Sequence, residues 1–561
     1  MPSVQRCPGL DPGPQVSRSG KGGEAPDQVR GGGELGAVVM FLAHRALSCA
    51  PALAAMALLV LLVPGTVVAL WLRAGSLAGP LAGSLAWPLV ADLAALRFTL
   101  LQATLSALLS VALAVPVARA LARRRFRGRA ALIALIGAPF ILPVVVAVLG
   151  LLAVFGRSGL ANQALAALGL PGIEIYGLYG VVLAHVFFNM PLATRLILQG
   201  WQRIPAERFR LAASLGFSRR DLARQIEQPM LREVVPGALL VVFLLCLTSF
   251  AVVLTLGGGP GSSTLELAIY QAFRLEFDLP RVAMLATAQL GLCGVVTLAM
   301  LRATALPGDG RGMDRVLPLQ GLQPPAVGDG LVMALAALFL LLPIAMVVAR
   351  GAPQIAGLPG AVWHAAGRSL AVATVSTLLA VALGLALAQA ALRSSLAEGI
   401  GMLALAASPV VMGAGLFVML IPLGDPAALA LPVTAVVNAV MALPLVLRSL
   451  IPALRRAEAD HGRLADALGM AGWARLRWLI LPRLRRPLGF AGGMAAALSM
   501  GDLGVIVLFS DPAHATLPMQ ISTLMGAYRM DQAAGSAVLL AGMSFGLFWL
   551  GDRWGRANAA D

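Results

Sequence analysis

Two short stretches of this chain read alike: Arg210-Leu211-Ala212-x-x-Leu215-Gly216 and Arg463-Leu464-Ala465-x-x-Leu468-Gly469, followed at equal spacing by Pro229 and Pro482. Their chemistry is that of a shaped surface. An arginine-led apolar turn closed by glycine suits a short helix with a left-handed C-terminal cap. Ala212 and Ala465 keep one side small, so the element is expected to seat in a partner's groove; the competing reading is a bare structural elbow. Asp502 lies in an apolar run, where a carboxylate costs on the order of 2.5–3.5 kcal/mol, and its counterpart in the other stretch is Ser249. That carboxylate serves either a cationic ligand, with Ser249 opposite, or a hydrogen bond to a neighbouring helix. His44, His185, His364, His461 and His514 are scattered, and Cys7, Cys49, Cys246 and Cys293 show no paired spacing. No metal site, disulfide framework or catalytic triad is expected, and His185, in an apolar run, reads as a hydrogen-bonded packing residue.

The elements that must position these residues are apolar helices. The chain is 59% hydrophobic and 12% charged, with mean hydropathy +0.86, whereas soluble domains carry about 25% charged residues. A membrane-crossing helix needs about 20 apolar residues, and twelve stretches qualify: 52–73, 98–120, 130–155, 176–200, 234–256, 282–303, 330–349, 369–391, 398–421, 427–450, 487–510 and 535–552. The fold class is therefore all-α and polytopic. Pro139, Pro143 and Pro409, with Gly137 and Gly413 nearby, are expected to kink the third and ninth spans.

The net charge of +16 is almost wholly arginine, Lys21 being the one lysine. Arginines gather at 119–129, 203–232 and 455–486, in alternate loops. Basic loops stay cytoplasmic, which explains the charge without nucleic acid and places both termini in the cytoplasm. Intervening loops are poorer in arginine and contain Glu266, Asp278, Asp511 and Asp531. Residues 1–44 are a Gly- and Pro-rich tail expected to be disordered, with no cleavable signal pattern, and Met40 is a candidate translation start.

Aligned at an offset of 253 residues, the halves match at Pro191 and Pro444, Arg195 and Arg448, the two glycine-ended stretches, and Arg232 and Arg485. Spans 2 and 8 match at an offset of 270, through Ala103-Thr104 and Ala373-Thr374. Two copies of one six-span unit are fused, at 45–303 and 330–561, joined by a cytoplasmic linker at 304–329. An even span number gives both copies one orientation. In each copy the strongest match falls in a loop outside the membrane, where sequence is usually freest to drift. In the first, Ser218 and Asp221 form a variant capping box, opening a second short helix expected to stop near Glu227, before Pro229.

These loops resemble the Glu-Ala-Ala-x-x-x-Gly signature of binding-protein-dependent ABC importer permeases, with Gly216 and Gly469 on its glycine, Ala212 and Ala465 on its second alanine, and Pro229 and Pro482 closing it. Arginine and leucine stand at its first two positions. Ser249-Phe250-Ala251-Val252 through Gly259-Pro260, Thr264-Leu265-Glu266-Leu267, Gly501-Asp502-Leu503-Gly504-Val505 and Met525-Gly526-Ala527-Tyr528-Arg529 are similar to the fused thiamine permeases. The resemblance covers about residues 45–555 and implies two tandem type I importer units in a bacterial inner membrane. It implies thiamine or its phosphate esters as substrate, two copies of a cytoplasmic ATPase at the paired loops, and a periplasmic thiamine-binding protein. No Gly-x-x-x-x-Gly-Lys-Ser/Thr phosphate loop is present, so ATP hydrolysis is expected in another subunit; no cofactor is expected. Iron(III) and polyamine permeases share the loop signature, and an ion-coupled transporter is the rival from another class.

Overall fold

The computed structural model describes residues 50–78, 90–124, 126–303, 327–509 and 514–556, and every regular element among them is helical. The expectations for Met40, residues 1–44, most of the 304–329 linker and Asp511 lie outside the described residues.

A helix entering from Ala50 bends by 42° at Pro64, where the missing N–H removes a rung of the ladder, and continues as α1 (Pro64–Ala78). The first repeat unit then runs α2 (Val90–Arg123), α3 (Arg129–Gly137), α4 (Val144–Phe155), α5 (Leu178–Arg203), α6 (Ala206–Ser214), α7 (Gln228–Leu247), α8 (Ala251–Leu256), α9 (Leu265–Gln271) and α10 (Leu279–Ala303). The second runs α11 (Val327–Gly351), α12 (Gly360–Ala391), α13 (Ser395–Met402), α14 (Pro409–Leu420), α15 (Ala430–Ala467), α16 (Leu481–Met500), α17 (Ile506–Phe509), α18 (Leu517–Gly526) and α19 (Met530–Arg556).

The repeat read from sequence is a structural repeat. In the first unit α2 packs on α5 and α7, and in the second α12 packs on α15 and α16. One hydrogen bond recurs in both: Thr99 Oγ1 accepts from the Leu265 N–H at 2.9 Å, and Ser369 Oγ from the Leu517 N–H at 2.8 Å. Each bond seats the N-terminus of a short helix, α9 or α18, against the long second helix of its unit.

The units also exchange their first helices. α1 packs on α10 of its own unit and on α14 of the other, while α11 packs on α19 of its own unit and on α4 of the other. Glycine permits both approaches. A Cβ at Gly415 would lie 2.4 Å from Thr66 Cβ, and one at Gly150 would lie 2.6 Å from the Pro343 carbonyl oxygen. Without a side chain at these points the backbones meet directly.

Spans 3 and 9 are broken, where sequence predicted kinks. α3 ends at Gly137, a 3₁₀ turn covers Ala138–Phe140, and α4 starts after Pro143; segment 395–405 meets segment 409–423 at 95°. Pro143 and Pro409 stand at the restarts, where a residue lacking an N–H begins a helix at no loss. Among the described residues nine helices are long and apolar enough to cross a membrane, or eleven with each bent pair taken as one span. Twelve were expected. The stretch at 487–510 differs because α16 carries Arg483, Arg485 and Arg486 in its first turns and ends at Met500.

Candidate functional site

The paired loops fold as matching elbows. α6 and α15 end at Ser214 and Ala467, equivalent positions, and Gly216 and Gly469 follow at φ 66° and 64°. The Phe217 N–H reaches the Ala212 carbonyl at 3.0 Å and the Met470 N–H the Ala465 carbonyl at 2.9 Å, so both helices close with the same Schellman arrangement. In the first elbow the Ser218 N–H donates to Asp221 Oδ2 at 3.0 Å and the Asp221 N–H to Ser218 Oγ at 3.2 Å, the reciprocal cap expected from sequence. The Ser218 hydroxyl and N–H hold the Asp221 carboxyl below the usual carboxylate range.

Two expectations for these loops are corrected. Ala212 and Ala465 are each only 2% exposed, so the small side faces the chain's own helices; the outward face carries Leu211, Leu215, Leu464 and Leu468, at 59–66% exposure, with Arg210 and Arg463 exposed beside them. Pro229 and Pro482 do not stop the helices. Each follows a five-residue π-helical segment, 223–227 or 476–480, and sits in the first turn of α7 or α16. The wider π turn accommodates the ring and the missing donor.

The elbows are anchored differently. Glu227 is buried and pairs with Arg119 at 2.8 Å and with Arg123, tying the first elbow to the end of α2; Ile480 holds the equivalent place in the second. There Arg475 pairs with Glu458 and, at 2.6 Å, with Asp466, and these partners raise its pKa above the ordinary arginine value. Glu458 stands where Pro205 stands in the first copy. Pro205 separates α5 from α6, whereas α15 runs unbroken through the same point.

Ser249 and Asp502 occupy equivalent places just beyond α7 and α16, yet their side chains are held differently. Ser249 Oγ lies 2.8 Å from His185 Nε2, and His185 Nδ1 lies 3.1 Å from Ser106 Oγ. His185, 3% exposed, is thus the hydrogen-bonded packing residue expected. The matching position to His185 is Asn438, which donates to Ser499 Oγ at 3.0 Å. Asp502 Oδ1 accepts from the Gly504 N–H at 3.2 Å, a local turn cap, while Oδ2 is buried with no hydrogen-bond partner. Its segment lies between the two broken spans, with Gly501 against Pro143 and Gly504 against Pro409.

Sequence reading missed Glu266, assigned to a loop. It is fully buried in α9, accepting from Ser408 Oγ at 2.7 Å and from Gln289 Nε2 at 3.0 Å. A signal was present: Glu266 is flanked on both sides by apolar residues, Leu265 and Leu267-Ala268-Ile269.

No protein-family model matches the chain. It is similar to the thiamine transport system permease protein ThiP of Brucella abortus, 41% identical over 442 residues, covering 76% of this chain and 81% of the relative. The Escherichia coli protein of that name is 38% identical over 448 residues, covering 76% and 82%. The Haemophilus influenzae protein is 34% identical over 440 residues, covering 75% and 81%.

Proposed function

Because the chain belongs to the family of thiamine transport system permease proteins, we propose that it carries thiamine or its phosphate esters through a path between its two repeat units, driven by ATPase subunits seated on the two elbows. It is a multi-pass inner-membrane permease subunit of an ABC importer, a transport protein and not itself an enzyme. A cytoplasmic ATPase and a periplasmic binding protein complete the system. The observation that carries the coupling role is the duplicated elbow: equal helix ends, equal glycine caps and equal outward leucine pairs. Two docking elements of one shape call for two copies of one ATPase.

In this reading residues 45–303 and 330–561 are the two permease units, the elbows and both termini face the cytoplasm, and the chain lacks an ATPase site of its own. Arg210, Leu211, Leu215, Arg463, Leu464 and Leu468 meet the ATPase. Ala212, Gly216, Pro229, Ala465, Gly469 and Pro482 shape the elbows from within. Asp502 meets the thiazolium cation with its unpartnered oxygen, and Ser249 lines the opposite side. The test is uptake of labelled thiamine into proteoliposomes holding this chain with its ATPase and binding protein. Uptake that needs all three and ATP supports the reading; uptake driven by an ion gradient alone, or preference for iron(III) or a polyamine, overturns it.

A further inference from the structure

Arg195 and Arg448 are equivalent residues of α5 and α15. Each lies ten residues nearer the elbow than the polar side chain at its repeat level, His185 or Asn438, which is about 15 Å along a helix. No carboxylate pairs with either among the described residues. Nε and Nη2 of Arg448 are buried without a hydrogen-bond partner. A guanidinium that snorkels to lipid headgroups keeps its polar atoms accessible, whereas two of the three nitrogens of half-buried Arg448 are enclosed.

The surroundings place Arg448 near the junction of the units, and Arg195 beside the broken third span of its own unit. Leu445, on the same face as Arg448 and one turn away, packs in a cluster with Met494, Ala497 and, from the first unit, Ile141 of the broken third span. Arg195 Nη1 lies 3.5 Å from where a Cβ on Gly137 would stand, at the end of α3. Arg195 therefore adjoins the broken third span directly and Arg448 lies one turn from a side chain that packs on it, both on the elbow side of Asp502. Enclosed cationic donors without a partner are costly, as at Arg448, and a planar five-donor fork matches phosphate oxygens.

Taking the chain as a thiamine permease, we propose that Arg195 and Arg448 receive the phosphate of a phosphorylated substrate after the cationic ring leaves Asp502, and so set how well phosphate esters are carried relative to thiamine. A phospholipid phosphate presents the same chemistry, so the test separates the two sources. The complete importer is reconstituted in phosphatidylcholine, with and without phosphatidylglycerol, and uptake of labelled thiamine and thiamine pyrophosphate is measured for the wild type, Arg195→Gln, Arg448→Gln and Arg448→Lys.

Loss of one charged hydrogen-bond donor set is expected to lower pyrophosphate uptake by roughly tenfold or more relative to thiamine. Lysine, which keeps the charge but not the fork, should retain only part of it, and the ratio should be the same in both lipids. Equal loss of both substrates, no loss of either, a ratio that depends on phosphatidylglycerol, or a wild type that carries thiamine but not its pyrophosphate overturns the proposal. A wild type that carries neither compound overturns the thiamine reading itself. Should Arg448→Gln fail to assemble, Arg195→Gln carries the same comparison.

Discussion

The Ser408 hydroxyl donates to the Glu266 carboxylate at 2.7 Å, a bond from the second repeat unit into the first. The same hydroxyl accepts from the Val411 N–H at 3.1 Å and caps α14, so one side chain both starts a helix and joins the halves. Ser408→Ala should destabilise the protein by about 1–3 kcal/mol, the cost of leaving a buried acceptor short of a donor. Thermal unfolding in detergent measures this. A double-mutant cycle with Glu266→Gln should be non-additive; strict additivity would mean that the two groups do not interact.

The outward leucines should matter for docking and little for folding. Leu215→Ser and Leu468→Ser remove exposed side chains, so stability should move by no more than about 0.5 kcal/mol. Retention of the ATPase should fall by about tenfold for each, as expected when an interface anchor is lost. Co-purification of the subunits reads the effect. If either change leaves ATPase retention intact, the two-copy reading fails at that elbow.

The first elbow carries a pH-dependent cap that the second lacks, because Ala471 and Ala474 replace Ser218 and Asp221. The Asp221 pKa is lowered in the folded protein by the Ser218 hydroxyl and N–H. Its contribution is therefore complete above the unfolded carboxylate value of about 4 and is lost as pH falls through the lower folded value. Hydrogen-exchange protection of the Ser218 amide, corrected for intrinsic rate, should drop over that acidic window. Asp221→Asn should abolish the dependence, and the Ala471 amide should not show it.

Asp502→Asn preserves an oxygen for the Gly504 N–H and removes only the charge. Folding should survive with a change of about 1 kcal/mol or less, while thiamine uptake should fall by roughly tenfold, the effect of losing one charge-assisted contact. Unchanged uptake rate and affinity would remove Asp502 from the path.

The repeat, the elbow, the glycine caps and the Ser218-Asp221 box were legible in sequence because they rest on local rules: spacing, φ preference and short-range hydrogen bonds. What sequence left hidden depends on contacts between distant segments. Glu266 read as a loop acid because its donors, Ser408 and Gln289, lie 142 and 23 residues away. Ala212 and Ala465 read as outward because a lone turn of helix does not reveal which side its own chain covers. Proline marked where spans 3 and 9 yield, but not that they break; the segment after α16, which lies against both Pro143 and Pro409, is far from the former in sequence.

The exchange of α1 and α11 bears on how the molecule deforms. Each half wears a collar made from the other's leading segment, clamped where Gly150 meets Pro343 and Gly415 meets Thr66. Cleaving the backbone between residues 303 and 327 would leave those clamps in place, so the severed pieces should still migrate together. For the same reason neither half can tilt alone: any rocking drags the opposite collar with it, and the two sides are bound to move in concert.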